Sequence, residues 1–303
     1  MVQAHRQRRV QRHCCHQPLT VLQSPNSPHL TTALPNAPVG VFDSGVGGLS
    51  ILQALQQQLP NESFVYLADS GFAPYGERDE AFVLERARHV LHILLRQHHI
   101  KAFVLACNTA TALAIHVLRQ EFAQLPIFGV EPAIKPAAQQ SRTRRIGVMA
   151  TAGTLGSAKF QELHRSLQDQ AEFVLQACDG LADAIEQQWQ HADSSEVLTL
   201  CRKHLGAMGE FGTEAHQMDT VVLGCTHYPF AKPLIQSVVG PHVSLLDTGA
   251  PVARRVSQVL HDKHLLAGPE YPPSLQLLAT GETRNLQTAA ATWLQISQSA
   301  PLV

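Results

Sequence analysis

No run of apolar residues in this 303-residue chain approaches the roughly 18 that a membrane-spanning helix needs. That excludes a helical membrane protein. Net charge is nearly absent, at −1, which argues against a general binder of nucleic acid or of membrane surfaces. Cysteine is sparse: six residues at 14, 15, 107, 178, 201 and 225 are spread along the chain, not packed into a short disulfide-rich domain. Free thiols in a reducing cytoplasm are therefore expected. The glycine-rich segment "FDSGVGG" lacks the Lys-Ser/Thr of a P-loop and the G-x-G-x-x-G spacing of a dinucleotide fingerprint. What is present, 45% apolar and 16% charged residues, is the composition of a soluble globular protein with room for one large domain or two moderate ones.

Acidic residues are missing altogether before Asp43, whereas Arg6, Arg8, Arg9 and Arg12 stand close together. Setting those four arginines aside leaves 19 basic against 24 acidic residues, a net of −5 for the remainder. Residues 1–38 also hold five prolines and show no sustained periodicity, so they read as a disordered N-terminal extension. An Arg-rich, acid-poor segment also fits an organelle transit peptide, and a mis-assigned start is a further alternative. No apolar stretch suits a secretory signal. The "HCCH" at 13–16 is too tightly adjacent to wrap one tetrahedral ion, and no metal site is expected.

From Val39 onward short apolar runs alternate with amphipathic ones, which predicts an α/β protein with parallel strands and helices on both faces. Two pairs of segments echo each other. "VGVFDSGVGGLS" at 39 matches "IGVMATAGTLGS" at 146, and "FVLACNTA" at 103 matches "VVLGCTHY" at 221. The order is the same in both halves. The expected fold is therefore two similar doubly wound parallel-sheet domains related by pseudo-two-fold symmetry, with the active site in the cleft between them. The first domain is expected from 39–131 plus 241–303 and the second from 132–240.

The repeat singles out two of the six cysteines. Cys107 and Cys225 each end a strand, precede a turn or helix start and have a threonine within two residues. Backbone N–H groups at a helix N-terminus favour thiolate over thiol and offer a carboxylate site. Cys201 lies in a helical pattern and reads as a small buried hydrophobe, and Cys178 has no hydroxyl or histidine beside it. Cys225 with His227 makes a Cys-x-His pair, but zinc wants three or four such ligands. Asp43 aligns with Ala150 in the second half, so the acid is specific to the first half, as a functional group or a helix cap. The turn "DSGFAPYGER" places Tyr75 and Gly76 as donors to a ligand. Two thiols at one cleft suit disulfide chemistry or inversion at a carbon, in which one base takes a proton from one face while its counterpart delivers one to the other. No pyridoxal signature accompanies the six lysines, so a cofactor-independent reaction is expected.

"FDSGVGGLSIL", "APYGER", "ACNTATA", "GVEPAIKPA", "ATAGTLGS", "GCTHYPF" and "DTGAPVARR" together resemble glutamate racemase, a branch of the aspartate/glutamate racemase group, from about residue 39 to the C-terminus. The resemblance implies cofactor-independent interconversion of L- and D-glutamate, supplying D-glutamate for peptidoglycan. Cys107 matches the thiol that deprotonates the D-enantiomer and Cys225 the one that deprotonates the L-enantiomer. Asp43 and His227 match groups that assist proton transfer, and Asp69 and Glu186 match auxiliary acids. Asp43, Ser44, Tyr75, Gly76 and Asn108 match substrate-contacting positions, as do Thr109, Thr151, Thr226 and His227. Departures are Asp179, where proline is frequent, and Ala68, where glycine is. The expected protein is cytoplasmic, takes glutamate as its small-molecule substrate and assembles as a homodimer, with a peptidoglycan precursor as candidate activator and no nucleic-acid or membrane partner. The alternatives are a racemase for another acidic amino acid such as aspartate, and a non-catalytic thiol redox or binding module on the same scaffold.

Overall fold

Nine strands among the described residues form two all-parallel sheets in this computed structural model, which describes residues 34–191 and 193–294. The expected extension lies outside the described residues up to position 33, and with it the "HCCH". The first sheet contains β1 (Val39–Asp43), β2 (Phe64–Ala68), β3 (Ala102–Leu105), β4 (Ile127–Gly129) and β9 (Leu275–Ala279). The second contains β5 (Arg145–Ala150), β6 (Glu172–Ala177), β7 (Thr220–Gly224) and β8 (Ser244–Leu246). The helices are α1 (Leu49–Gln58), α2 (Glu80–His98), α3 (Asn108–Glu121), α4 (Ile134–Gln140), α5 (Ala152–Gly156) and α6 (Ala158–Arg165). They continue with α7 (Leu181–His191), α8 (Ser195–Gly206), α9 (Lys232–Val239), α10 (Gly249–Asp262) and α11 (Thr283–Trp293).

Strand order is β4-β3-β1-β2-β9 in one sheet and β8-β7-β5-β6 in the other. Four strands thus repeat in the same order, and β9 is added outside β2. Asp43 and Ala150, paired by the sequence repeat, sit at equivalent ends of β1 and β5, opposite Ala68 and Ala177. The expected domain boundary at 241 needs correction. Residues 244–246 pair with β7 and take the place that β4 holds in the first sheet, so the chain returns to the first sheet only after Leu246.

These strands form because their apolar runs are buried on both faces, as parallel strands under helices require. Every residue of β1, β2, β3 and β7 is buried. Alternate residues serve opposite faces. Val39 and Val41 join α1, α10 and α11, whereas Phe42 joins α2 and α3. Each large side chain buried this way stabilises the fold by roughly 1.5–3 kcal/mol. Helix starts are marked by side-chain caps. Asp79 accepts from Phe82 N at 2.8 Å, Thr151 from Thr154 N at 3.2 Å and Ser157 from Phe160 N at 3.2 Å. At the amino-terminal end of the first sheet Lys101 Nζ lies 2.5 Å from Glu62 Oε2 with both side chains buried, and Lys101 also donates to the Pro35 carbonyl. Burial lowers the Lys101 pKa, and Glu62 opposes that shift. No helix among the described residues is long and apolar enough to cross a membrane.

Candidate active site

Ligand sites in open α/β sheets lie outside the carboxyl ends of the strands. Here the carboxyl ends of both sheets border one cavity of about 120 Å³, several times what a single water needs. Cys107 follows β3 and Cys225 follows β7, the equivalent strands of the two sheets, and both line the cavity. They are only 5% and 7% exposed, so the sulfurs meet solvent through the cavity alone.

Cys107 caps α3: its Sγ accepts from Ala110 N at 3.4 Å and lies 3.5 Å from Ser44 Oγ. The helix start was expected to favour thiolate, and those two contacts do pull the pKa down. Burial outweighs them, and the charge of Asp43 adds to it, so the Cys107 thiol is pushed up to about 12. A smaller contribution to the Cys107 shift comes from Cys225. Asp43 is fully buried and does not line the cavity wall. Its Oδ2 accepts from Gly48 N at 2.5 Å, and its Oδ1 has no hydrogen-bond partner among the described residues. Burial raises its pKa, against the opposing pull of the His227 charge. Gly48 is required here because a Cβ would stand 2.6 Å from Asp43 Cβ. The bond goes to the N–H of Gly48, the residue at the amino-terminal cap of α1, so Asp43 braces the glycine turn and is not the helix cap. The unpartnered oxygen and raised pKa are what a proton acceptor needs.

The second thiol has different neighbours. Cys225 Sγ lies 3.6 Å from His227 Nδ1, and His227 Nε2 lies 2.6 Å from Glu186 Oε1. Glu186, half-buried on α7, also accepts from Val46 N at 3.1 Å, which ties the second half to the β1–α1 turn of the first. Burial disfavours charge on His227, but the bonds to Cys225 and Glu186 overcome it and hold the imidazolium well above its ordinary range. Burial likewise works against the Glu186 carboxylate, and the His227 bond reverses the effect and lowers its pKa. Gly47 is glycine because a Cβ there would collide with the His227 ring.

Ser44, Gly76, Asn108, Thr109, Thr151 and Thr226 also line the cavity. Asn108 donates to the Val130 carbonyl at 3.3 Å, and its buried Oδ1 has no partner among the described residues. Thr109 and Thr151 meet across the two halves at 3.3 Å. Tyr75 lines the cavity too, but its hydroxyl turns inward and donates to Asp69 at 2.5 Å. The side-chain half of the donor expectation at Tyr75 is thus met by Asp69 and not by a ligand. Asp69, expected as an auxiliary acid, is fully buried, does not line the cavity and has both oxygens committed to protein donors. Sequence reasoning missed Cys178, which follows β6 and lines the cavity with a thiol that burial pushes up. Its position at a strand end was the available signal. Among the described residues no three His, Cys, Asp or Glu side chains gather as a metal site.

Two parallel sheets that share a four-strand order, each bringing a cysteine at a strand end to one cavity, define a two-sheet α/β protein. The chain matches the Asp/Glu/Hydantoin racemase family over residues 39–256 and belongs to it. It is 50% identical over 232 residues to the glutamate racemase of Ectopseudomonas mendocina (strain ymp), covering 76% of this chain and 85% of that protein. Its fold is similar to a glutamate racemase isoform from Bacillus anthracis, with a TM-score of 0.77, 30% identity, and 89% of this chain and 98% of that one covered. It is also similar to the Escherichia coli glutamate racemase solved with L-glutamate and the activator UDP-MurNAc-ala, with a TM-score of 0.73, 29% identity, and 85% and 95% covered. Those likenesses bear out the family and fold read from the motifs.

Proposed function

We propose that this protein is a cytoplasmic glutamate racemase that inverts the Cα of glutamate with two thiols and no cofactor, supplying D-glutamate for peptidoglycan. The observation that carries the reading is that Cys107 and Cys225 line one small cavity from equivalent strand ends, each beside a different polar side chain, Ser44 at one and His227 at the other. The substrate Cα lies between the sulfurs. One cysteine, as thiolate, takes the Cα proton from its face and becomes a thiol. The opposite thiol delivers its proton to the other face and becomes the thiolate. Each turnover leaves the two protonation states exchanged, and proton transfer with solvent resets them.

The polar partners fit these steps. Cys107, held protonated by burial and by Asp43, is set to deliver a proton when L-glutamate is consumed. Asp43, with a raised pKa, is set to receive the Cys107 proton when D-glutamate is consumed. His227, held charged by Glu186, exchanges a proton with Cys225 across 3.6 Å. Backbone donors at Tyr75 and Gly76, with Thr109, Thr151 and the open Asn108 Oδ1, surround the substrate's carboxylates and ammonium. Closure by these walls excludes water, which strengthens every electrostatic contact to the carbanion.

The test is incubation with each glutamate enantiomer in deuterium oxide, following Cα exchange and optical rotation. Inversion accompanied by one deuterium per product is expected. Neither exchange nor inversion sinks the proposal, inversion of aspartate in preference to glutamate reassigns the substrate, and a reversible Cys107–Cys225 disulfide without exchange marks a redox module. The proposed assembly is a homodimer, and UDP-MurNAc-ala, the activator bound in the Escherichia coli structure, is the candidate activator. Light scattering and assays with and without that nucleotide test them.

A further inference from the structure

Asp69 is the most heavily bonded acid in the first half, and the proton-transfer scheme does not use it. Its Oδ2 accepts from Tyr75 Oη at 2.5 Å and Arg86 Nε at 2.9 Å. Its Oδ1 accepts from Arg86 Nη2 at 2.8 Å and Thr280 Oγ1 at 2.7 Å. Three distant segments therefore converge on one buried carboxylate: the turn after β2, helix α2 and the end of β9. Thr280 is held in place in turn, because its N–H donates to the Ala68 carbonyl at 3.0 Å. Its hydroxyl also accepts from Gly71 N at 3.2 Å. The Arg86 guanidinium lies 3.5 Å over the Phe72 ring. The turn from Ser70 to Glu77 is thus gripped at Gly71, Phe72 and Tyr75, and the cavity wall it supplies is Ala73, Pro74, Tyr75 and Gly76. Among the described residues the second sheet has no counterpart of β9.

We infer that Thr280 and Arg86 are positioning residues that act through Asp69 to hold the Tyr75–Gly76 wall in its substrate-binding conformation, so that they set affinity and not proton transfer. The inference rests on the racemase reading above and deepens it. A wall held by charge-assisted bonds keeps its backbone donors aimed at the ligand, and a loosened wall must be ordered again on each binding event. Arg86 matters by its fork, which a lysine does not reproduce.

The test compares Thr280→Val, Thr280→Ser and Arg86→Lys with wild type, measuring kcat and KM in both directions and titrating D-glutamate calorimetrically. Thr280→Val removes one bond to a charged group and is expected to raise KM for both enantiomers about tenfold with kcat within about twofold. Thr280→Ser restores the hydroxyl and is expected to match wild type. Arg86→Lys is expected to raise KM at least as far as Thr280→Val, and it carries the test if the valine variant does not fold. Unchanged KM in Thr280→Val and Arg86→Lys, a fall in kcat at constant KM, or a serine variant that behaves like valine each overturns the inference. A wild type that binds glutamate without turning it over defeats the racemase reading alone, and the calorimetric affinities then decide the role of the wall. A wild type that neither binds nor turns over glutamate defeats both.

Discussion

The two strand ends that carry Cys107 and Cys225 have the same place in the same topology and opposite surroundings. Around Cys107 the partners are a hydroxyl and a buried carboxylate with one oxygen unpartnered, and the thiol is driven toward its neutral form. Around Cys225 they are an imidazole and a carboxylate that stabilise each other's charge. The shared strand order thus supplies the geometry twice, while the polar neighbours differ at each end. The proposed racemisation, which must work from either enantiomer, needs a donor and an acceptor on both faces, and two unlike environments suit that need at one pH.

The strongest way to break this comparison is to remove one sulfur. Cys107→Ala and Cys225→Ala are each expected to lower racemisation by about a hundredfold to ten-thousandfold, the usual worth of a positioned acid or base. In deuterium oxide each variant is expected to retain slow Cα exchange of a single enantiomer without inversion: L for Cys107→Ala and D for Cys225→Ala. Exchange of both enantiomers in either variant rejects the assignment of faces.

A smaller loss separates the partners. Asp43→Asn keeps an acceptor for Gly48 N and removes the titrating group, and His227→Asn does the same at the other pole. About a hundredfold loss of kcat/KM is expected for each. The loss must be equal in the two directions, because the equilibrium constant between enantiomers ties the two kcat/KM values together. Kinetic isotope effects with Cα-deuterated substrates show which half-reaction has slowed. Identical isotope patterns in the two variants count against separate roles.

Glu186→Gln is expected to cost about tenfold and to change the pH profile. Glu186 raises the His227 pKa, so its removal lets the imidazolium lose its proton at lower pH, and the alkaline limb of activity moves down. The same pair contributes stability in a window. The His227 contribution is full below its unfolded value near 6.5 and is lost as pH rises through its raised folded value. The Glu186 contribution is present above about 4.5 and lost as pH falls through its lowered one. An alkaline limb that does not move refutes the coupling.

The smallest effect is on stability at high pH. A thiol raised to about 12 in the folded protein favours folding fully below its ordinary value of 9.0, and that contribution fades as pH rises through about 12. Denaturant midpoints measured across that range should fall with pH, and less steeply in Cys107→Ala. Cys201, raised by burial to about 11, leaves part of the slope in place.

Cys107, Cys225, Asp43 and His227 were legible in the chain because strand ends, glycine turns and the internal echo are local patterns, and parallel strands put such ends on one side of a sheet. The same logic marked the α/β class and the two sheets. It misplaced β8, since a three-residue strand after a glycine carries no signal for which sheet it joins. It offered Tyr75 as a backbone and side-chain donor and Asp69 as an acid, where the fold commits the Tyr75 hydroxyl to Asp69 and buries Asp69 against Arg86 and Thr280. Asp69 and Thr280 are 211 positions apart, Val46 and Glu186 140, and Glu186 and His227 41. Sequence alone determined which residues bring thiol, imidazole and carboxylate chemistry to the ends of strands. Only the tertiary structure decided which of those groups are charged, paired or turned away from the cavity, because desolvation and hydrogen bonding depend on neighbours that folding brings from far along the chain.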